Sequence, residues 1–500
     1  MSASGETTAL QRAWVQRRAE RHLLAWCLLC MTLGFTLVLG SVQDSGRTPT
    51  SADLLPLGGY ALALIFVHLT LVAAQFRGDQ ILVAAVAFLA GFGLLAQYRL
   101  GAFASADTGA DIRALLLFPA GMLVLLAAVG AFMAGRYRVL AAGPWVWGGL
   151  SLTLVAALLA TGQRFRGGVY AMGFTTPTEV LKLSVVLFLT GFIARHARAL
   201  GRWERPYYIP LPPWVPLLHL AAFWVALTGL LAVQRDLGMV VLLSIALLTL
   251  LVIGTRRVGY LIYGLLAAAG IGALVVTVFE HGMRRVEAWT DPFADPTGDG
   301  WQILQGLSGM YSGGLWGEGF GQGSPGYTPI AGSDFIYSVV GEELGFVGCV
   351  IVVLFFLIVF ARSMHIARHS RDQIGTLLAA GITAVLATQT FLNIGGVTKF
   401  VPLTGITLPF ISHGGTSLLT AFAALGLLLA ISDTGSASPR KGKRTPAAPR
   451  PRPRKPRPAP ARPQAPAEVA GEDTPAPKAK PAPKRKRAPR RAPSRQDPSG

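Results

Sequence analysis

The sequence predicts an all-α polytopic membrane protein of about twelve transmembrane helices, followed by a disordered basic C-terminal tail. Three observations predict it. Hydrophobic residues make up 52% of the 500 residues and charged residues only 14%, against roughly 25% charged in a soluble domain. Twelve apolar runs each approach the roughly 20 residues that cross a bilayer. The formal net charge of +20 is uneven: residues 434–500 hold 19 of the 45 Lys/Arg and 4 of the 25 Asp/Glu, which leaves only +5 for the rest. A soluble globular protein is excluded, and so is basicity spread over a nucleic-acid-binding face.

The runs fall at 22–41, 54–75, 81–97, 115–133, 145–161, 177–195, 214–233, 237–253, 258–279, 334–362, 374–396 and 404–431. The first is full-length and lacks a small-residue cleavage site after it, so it reads as a helix and not as a signal peptide. Cytoplasmic loops of membrane proteins are enriched in Lys and Arg. With Arg12, Arg17, Arg18 and Arg21 inside, alternate connections carry Arg77, then Arg136 and Arg138, then Arg195, Arg198, Arg202 and Arg205, then Arg256 and Arg257, then Arg362, Arg368 and Arg371. The alternation predicts an even number of helices with both termini in the cytoplasm. Residues 1–21 form the cytoplasmic N-terminus, 22–161 the N-terminal helices, 162–433 the core and 434–500 the tail.

This topology leaves one long connection outside, 280–333, rich in Gly, Trp, Tyr and Pro. Loops of this length usually carry function. The tail holds 17 of the 33 prolines and cannot bury a core; anionic lipid is its nearest partner, ahead of nucleic acid. Cys27 and Cys30 form a C-x-x-C inside an apolar run with no second pair, so both read as small membrane-helix residues. No His/Cys spacing suggests a protein-held metal, and no phosphate-binding G-x-x-x-x-G-K-[ST] loop is present.

Cations stand where the charge rule does not put them. Arg164 and Arg166 precede the sixth run, Arg284 and Arg285 open the long outer loop, and Lys399 precedes the last run. Lys182 lies five residues after Pro177, about 7–8 Å into its helix. Each alone fits a snorkelling or structural charge; together they favour an outer cleft built for an anion. Acids share this face: Asp291, Asp295 and Asp299 in the loop, Asp236 and Asp334 at helix starts, Glu342 and Glu343 at membrane depth. Asp236 and Asp334 suit the helix dipole, and Asp295 before a proline suits a turn. Glu342 and Glu343 need partners; they and Glu179 are the candidates to pair with Lys182.

Six ordered motifs resemble the SEDS family (shape, elongation, division and sporulation; the FtsW/RodA type). T-P-T-E-V-L-K at 176–182 is similar to Q-P-S-E-x-x-K, with Arg166 eleven residues before its proline. Q-R-D-L-G at 234–238 resembles Q-P-D-L-G, and D-P-T-G-D-G-W-Q at 295–302 resembles D-P-x-G-x-G-Y-Q. G-G-L with alternate glycines follows at 313–321. S-D-F-I-Y-S-V-V-G-E-E-L-G-F-V-G at 333–348 matches T-D-F-I-F-A-x-x-x-E-E-L-G-x-x-G, and L-P-F-I-S-H-G-G-T-S at 408–417, containing Ser412 and His413, resembles L-P-x-I-S-Y-G-G-S-S. Arg235 replaces a usual Pro, Gly167 a usual Trp and His413 a usual Tyr. The resemblance covers 22–161 weakly and the tail not at all. The family core has ten helices, so the chain reads as that core plus an extra N-terminal pair.

The resemblance implies a peptidoglycan glycosyltransferase that polymerises lipid II, an undecaprenyl-pyrophosphate-linked disaccharide-pentapeptide, in cell elongation or division. It implies Asp295 as catalytic base and Arg166, Lys182, Arg284, Arg285 and Lys399 around the pyrophosphate. Glu179, Asp236, Asp334, Glu342, Glu343, Ser412 and His413 are supporting residues. It implies a class B penicillin-binding protein as partner. A divalent cation, Mg or Mn, would suit the chemistry, although no ligand set is legible. A lipid II flippase and a non-catalytic scaffold for the transpeptidase are the alternatives.

Overall fold

The structure, a computed structural model, describes residues 3–44, 48–101, 112–165, 168–170, 177–203, 213–278 and 280–433. Their helices are α1 (Ala3–Gln16), α2 (Arg18–Asp44), α3 (Leu55–Ala73), α4 (Ile81–Arg99), α5 (Ile112–Phe132), α6 (Pro144–Thr161), α7 (Pro177–Leu200), α8 (Trp214–Gln234) and α9 (Leu237–Thr255). Then come α10 (Gly259–Val278), α11 (Glu280–Thr290), α12 (Trp301–Gly313), α13 (Ile336–His369), α14 (Gln373–Val397) and α15 (Gly415–Ser432). Two three-residue strands, β1 (Gln163–Phe165) and β2 (Gly168–Tyr170), pair antiparallel between α6 and α7.

Among the described residues, ten helices are long and apolar enough to cross a membrane, and Leu116–Phe132 and Gly259–Gly270 are shorter apolar stretches in α5 and α10. The protein is a multi-pass membrane protein. Burial separates its centre from its rim: 83% of the α4 span is buried against 22% of α8. α8 instead presents Trp214, Leu218, Val225 and Val233 outward, as a lipid-facing helix does. α13 packs on α4 and α14, α15 on α5, and α7 on α6, α9 and α14.

Polar contacts collect at two ends of the bundle. At the arginine-rich end, Arg138 Nη2 lies 2.9 Å from Asp372 Oδ2, Arg362 Nε donates to Asp79 Oδ2 at 2.9 Å, and Arg257 Nε donates to the Gly201 carbonyl at 3.0 Å. Arg17, buried where α1 meets α2, pairs with Glu20, which is 2.7 Å from His68 Nδ1. These residues belong to the segments whose charge predicts one side. Residues of the predicted outer segments meet at the opposite end, as in Ser41 Oγ donating to the Gly321 carbonyl at 2.9 Å.

Two apolar runs fold differently from continuous helices. Of the run at 404–431, only Gly415–Ser432 is helical. Pro402, Gly405 at φ +72 and Pro409 prevent a helix before it, and 401–414 passes between helices with Ile406, Leu408, Phe410 and Ile411 buried. Irregular backbone at this depth is tolerated where protein surrounds it and supplies its hydrogen bonds. Asn393 Nδ2 donates to the Ile406 carbonyl at 2.7 Å and Gln389 Nε2 to the Thr407 carbonyl at 2.9 Å.

The other is α13. Its 34 residues would extend about 51 Å as a straight helix, beyond a hydrocarbon core of about 30 Å. It breaks at Gly345, at φ 66 and ψ −164. The long loop contains two helices, α11 and α12.

Candidate active site

Lys182 is 5% exposed on the first turns of α7. Its ammonium lies 2.5 Å from Glu179 Oε2, one turn earlier, and donates to Gln389 Oε1 of α14 at 2.9 Å. Glu179 is thus the acid that pairs with it; Glu342 and Glu343 have other partners. A narrow groove of about 30 Å³ runs from Glu179, Lys182 and Gln389 between α7, α14 and α15 toward Val186, Ala421 and Ala424. It is charged at one end and apolar along its length.

Beside this charged end stands an acid–base cluster. Asp236 caps α9, its Oδ1 accepting the Met239 amide at 2.9 Å. Burial raises its carboxyl above the ordinary range, against the Met239 hydrogen bond and the charges of Arg285 and Lys182. Asp334 is raised by burial too, opposed by the Ser333 hydroxyl and by Arg285. Arg285 of α11 therefore acts on both acids, and its Nη1 reaches the Thr404 carbonyl at 3.4 Å. Asn393 Nδ2 fixes the Asp334 carbonyl at 2.8 Å. Ser412 Oγ donates to the Ser333 carbonyl at 2.6 Å while accepting the Leu408 amide at 2.8 Å. The His413 amide donates to the Gly332 carbonyl at 2.6 Å, and its ring is exposed. Ser412 and His413 thus set the backbone beside Asp334.

Asp295 projects from the exposed turn between α11 and α12. Its Oδ1 accepts the Gly298 amide at 3.0 Å, its Oδ2 the Asp299 amide at 3.1 Å, and its carbonyl the Gly300 amide at 3.1 Å. A Cβ on Gly298 would sit 2.1 Å from Asp295 Oδ2, and one on Gly300 would sit 2.0 Å from the Pro292 carbonyl oxygen. The glycine spacing of D-P-T-G-D-G therefore lets the chain close round this carboxylate.

The structure gathers Glu179, Lys182, Asp236, Arg285 and Asp334 at one end of the bundle and presents Asp295 on its loop. Arg284 is exposed on α11. Lys399, at φ +60, turns toward α11: its Nζ reaches the Thr290 carbonyl at 3.4 Å and its carbonyl accepts Trp289 Nε1 at 3.0 Å. Glu342 and Glu343, just before the α13 break, bind the Ser324 amide of the loop and Arg99 of α4. Arg235, where the resemblance expects proline, has φ +68, which a proline ring cannot adopt. Arg166 and the tail lie outside the described residues. Gln389, Asn393 and Arg99 escape the motif reading; the signal for the first two is a polar side chain in an apolar run, and for Arg99 a cation just past the end of one.

Residues 79–436 match the FtsW/RodA/SpoVE family, described as cell cycle protein; α2 and α3 precede the matched segment. The peptidoglycan glycosyltransferase RodA of Mycobacterium tuberculosis (strain ATCC 25618 / H37Rv) is 34% identical over 434 residues, covering 83% of this chain and 90% of the relative. Stage V sporulation protein E of Bacillus subtilis (strain 168) is 34% identical over 280 residues, covering 55% and 73%. A chain from a solved peptidoglycan synthase complex shares the fold, with a TM-score of 0.58 at 24% identity over 72% of this chain and 99% of that one. The match to the family spans well over half of the sequence, and the chain belongs to the FtsW/RodA/SpoVE family of cell cycle proteins.

Proposed function

We propose that this chain is a peptidoglycan glycosyltransferase that polymerises lipid II at the outer face of the cytoplasmic membrane. The observation that carries the reading is the groove whose charged end, at Lys182, adjoins Arg285, Asp236 and Asp334. A lipid-linked pyrophosphate has the matching form: an anionic head on an apolar chain. The positive-inside rule puts the arginine-rich end in the cytoplasm, both termini with it, and the groove's charged end outside.

In this mechanism Asp295 accepts the proton of the acceptor sugar's 4-hydroxyl as its oxygen attacks the donor's anomeric carbon. The bond to the pyrophosphate breaks, and Lys182 and Arg285, with Arg166 and Arg284, take up the charge that develops on it. Glu179 pairs with Lys182, and Asp236 and Asp334 feel the charge of Arg285. Lys399 steadies the end of α11. Among the described residues, no three His, Cys, Asp or Glu side chains cluster to hold a metal, and no step is assigned to one; an Mg or Mn ion brought with the pyrophosphate is a separate proposal, read from metal dependence after chelation.

A class B penicillin-binding protein is the proposed partner. The charges gather at one end of the groove, which favours a polymerase over a flippase that must open to both sides. The test is the purified chain with its partner, given lipid II, with glycan chain length as readout. Translocation of lipid II without polymer would overturn the reading.

A further inference from the structure

The break in α13 is filled by the outer loop. A broken helix strands carbonyls before the break and amides after it. Here the Glu342 and Glu343 carbonyls accept the Glu318 and Gly319 amides at 2.9 and 3.0 Å, and the Phe346 and Val347 amides donate to the Gly314 and Leu315 carbonyls at 2.9 and 3.2 Å. The two acids at the break face the same loop. Glu342 Oε1 accepts the Ser324 amide at 2.5 Å, and Glu343 Oε1 lies 2.9 Å from Arg99 Nε at the end of α4. Arg99 Nη2 also donates to the Gly323 carbonyl at 2.8 Å. One guanidinium thus holds both sides of the joint, the α13 acid and the loop backbone. Ser41 of α2 adds a second tie at Gly321.

We propose that Arg99 is a positioning residue for polymerisation: with Glu343 and Ser41 it moors the outer loop in the α13 break, so that α4 and the preceding α2 fix the loop over the site. The route from mooring to chemistry is short. α12 leaves the joint at Gly313 and packs along α13, where Ser338 Oγ donates to the Gly306 carbonyl at 3.0 Å. At its other end, about 20 Å away by helical rise, α12 begins at the turn that carries Asp295. A freed joint lets α12 shift, and small displacements of a reacting group cost about 100-fold in rate. A lysine offers one point charge where the arginine fork spans two acceptors, so it only partly replaces Arg99.

The proposal rests on the polymerase reading, and the test separates the two. Arg99→Gln, Arg99→Lys, Glu343→Gln and Ser41→Ala are compared with wild type in the complex with the transpeptidase, by lipid II kinetics and by amide hydrogen exchange over 314–324. Arg99→Gln and Glu343→Gln are expected to lower kcat about 10- to 100-fold with KM nearly unchanged, and to speed exchange at Glu318, Gly319 and Ser324. Arg99→Lys is expected to fall between, and Ser41→Ala to speed exchange only near Gly321. Wild-type kcat and exchange in Arg99→Gln would overturn the mooring, as would a raised KM with unchanged exchange. Should Arg99→Gln not fold, Arg99→Lys carries the same two readouts. A wild-type protein that makes no glycan would defeat the polymerase reading alone, since exchange still reports the joint.

Discussion

Lys182 Nζ and Gln389 Oε1 lie 2.9 Å apart across the α7–α14 interface, and the same amide donates from Nε2 to the Thr407 carbonyl at 2.9 Å. Gln389 therefore ties the site's buried cation to the irregular segment behind it. Its removal loses a hydrogen bond to a charged group, worth about 1.5–3 kcal/mol. Gln389→Leu is expected to raise KM for lipid II about 10-fold with a smaller effect on kcat. A KM equal to wild type would show that Lys182 needs no help from α14.

Lys182→Met keeps the unbranched apolar stem, one atom shorter, and deletes the charge. It leaves Glu179, half-buried at the groove, without its ion pair, so some loss of stability accompanies it. The expected outcome is inserted, partner-binding protein with weakened lipid II use. Full activity would reduce Lys182 to a structural ion pair with Glu179.

Gly345→Ala tests the α13 break. The backbone at φ 66 and ψ −164 lies where essentially only glycine is found, at a cost of about 1–3 kcal/mol for other residues. A Cβ there would sit 2.3 Å from the Gly317 nitrogen. Gly345→Ala is expected to lower Tm in detergent sharply, whereas Gly229→Ala on α8, with nothing within 4 Å, should leave it near wild type. Equal Tm values for the two would mean the break relaxes freely.

The bundle was legible because apolar runs and arginine-bearing connections are local properties. The run at 404–431 misled because hydropathy is blind to backbone: Pro402, Gly405 and Pro409 sit among residues as apolar as a helix and are covered by Gln389 and Asn393 from another element. Glu342 and Glu343 announced a need for partners, but the partners, Arg99 and the Ser324 amide, come from distant segments that no spacing connects. Lys399 looked like one more outer cation. Its φ of +60, which carries Nζ toward α11, is set by the turn after α14. The turn at Asp295 was readable, since Asp295 and Gly298 close it over four residues; the approach of Gly300 to Pro292 reaches outside the motif and was not.

Asp372 gives a pH prediction at the arginine-rich end. Burial acts to raise its carboxyl, but hydrogen bonds from Tyr137, Gly375 and Arg138 outweigh it and hold the group below the ordinary range. A depressed folded-state pKa means the stabilisation is present above the unfolded value and is lost as pH falls through the folded one. Asparagine keeps the helix cap and removes the charge. The Tm gap between wild type and Asp372→Asn is expected to be full at pH 7, to begin shrinking near the unfolded value of about 4 and to go on shrinking as pH falls further. A gap of the same size at pH 7 and pH 2 would assign the effect to geometry and not to charge.

Asp295 has two roles to separate, because its carboxylate both closes a turn and faces the solvent side of the loop. The turn alone uses one amide bond on each oxygen. Asparagine retains the oxygen for one of them, so Asp295→Asn loses about 1 kcal/mol locally and should insert and bind the transpeptidase. Loss of a general base costs far more, about 10²–10⁴ in rate. Asp291→Asn and Asp299→Asn are the matched controls: Asp291 Oδ1 accepts the nearby Phe293 amide at 3.1 Å, and the backbone amide of Asp299 serves the turn. Both should polymerise substantially while Asp295→Asn makes no chains. Asp295→Asn with near-wild-type polymerisation would leave the residue as a turn former, and the proton of the acceptor hydroxyl would need another home, with the scaffold and flippase readings gaining ground.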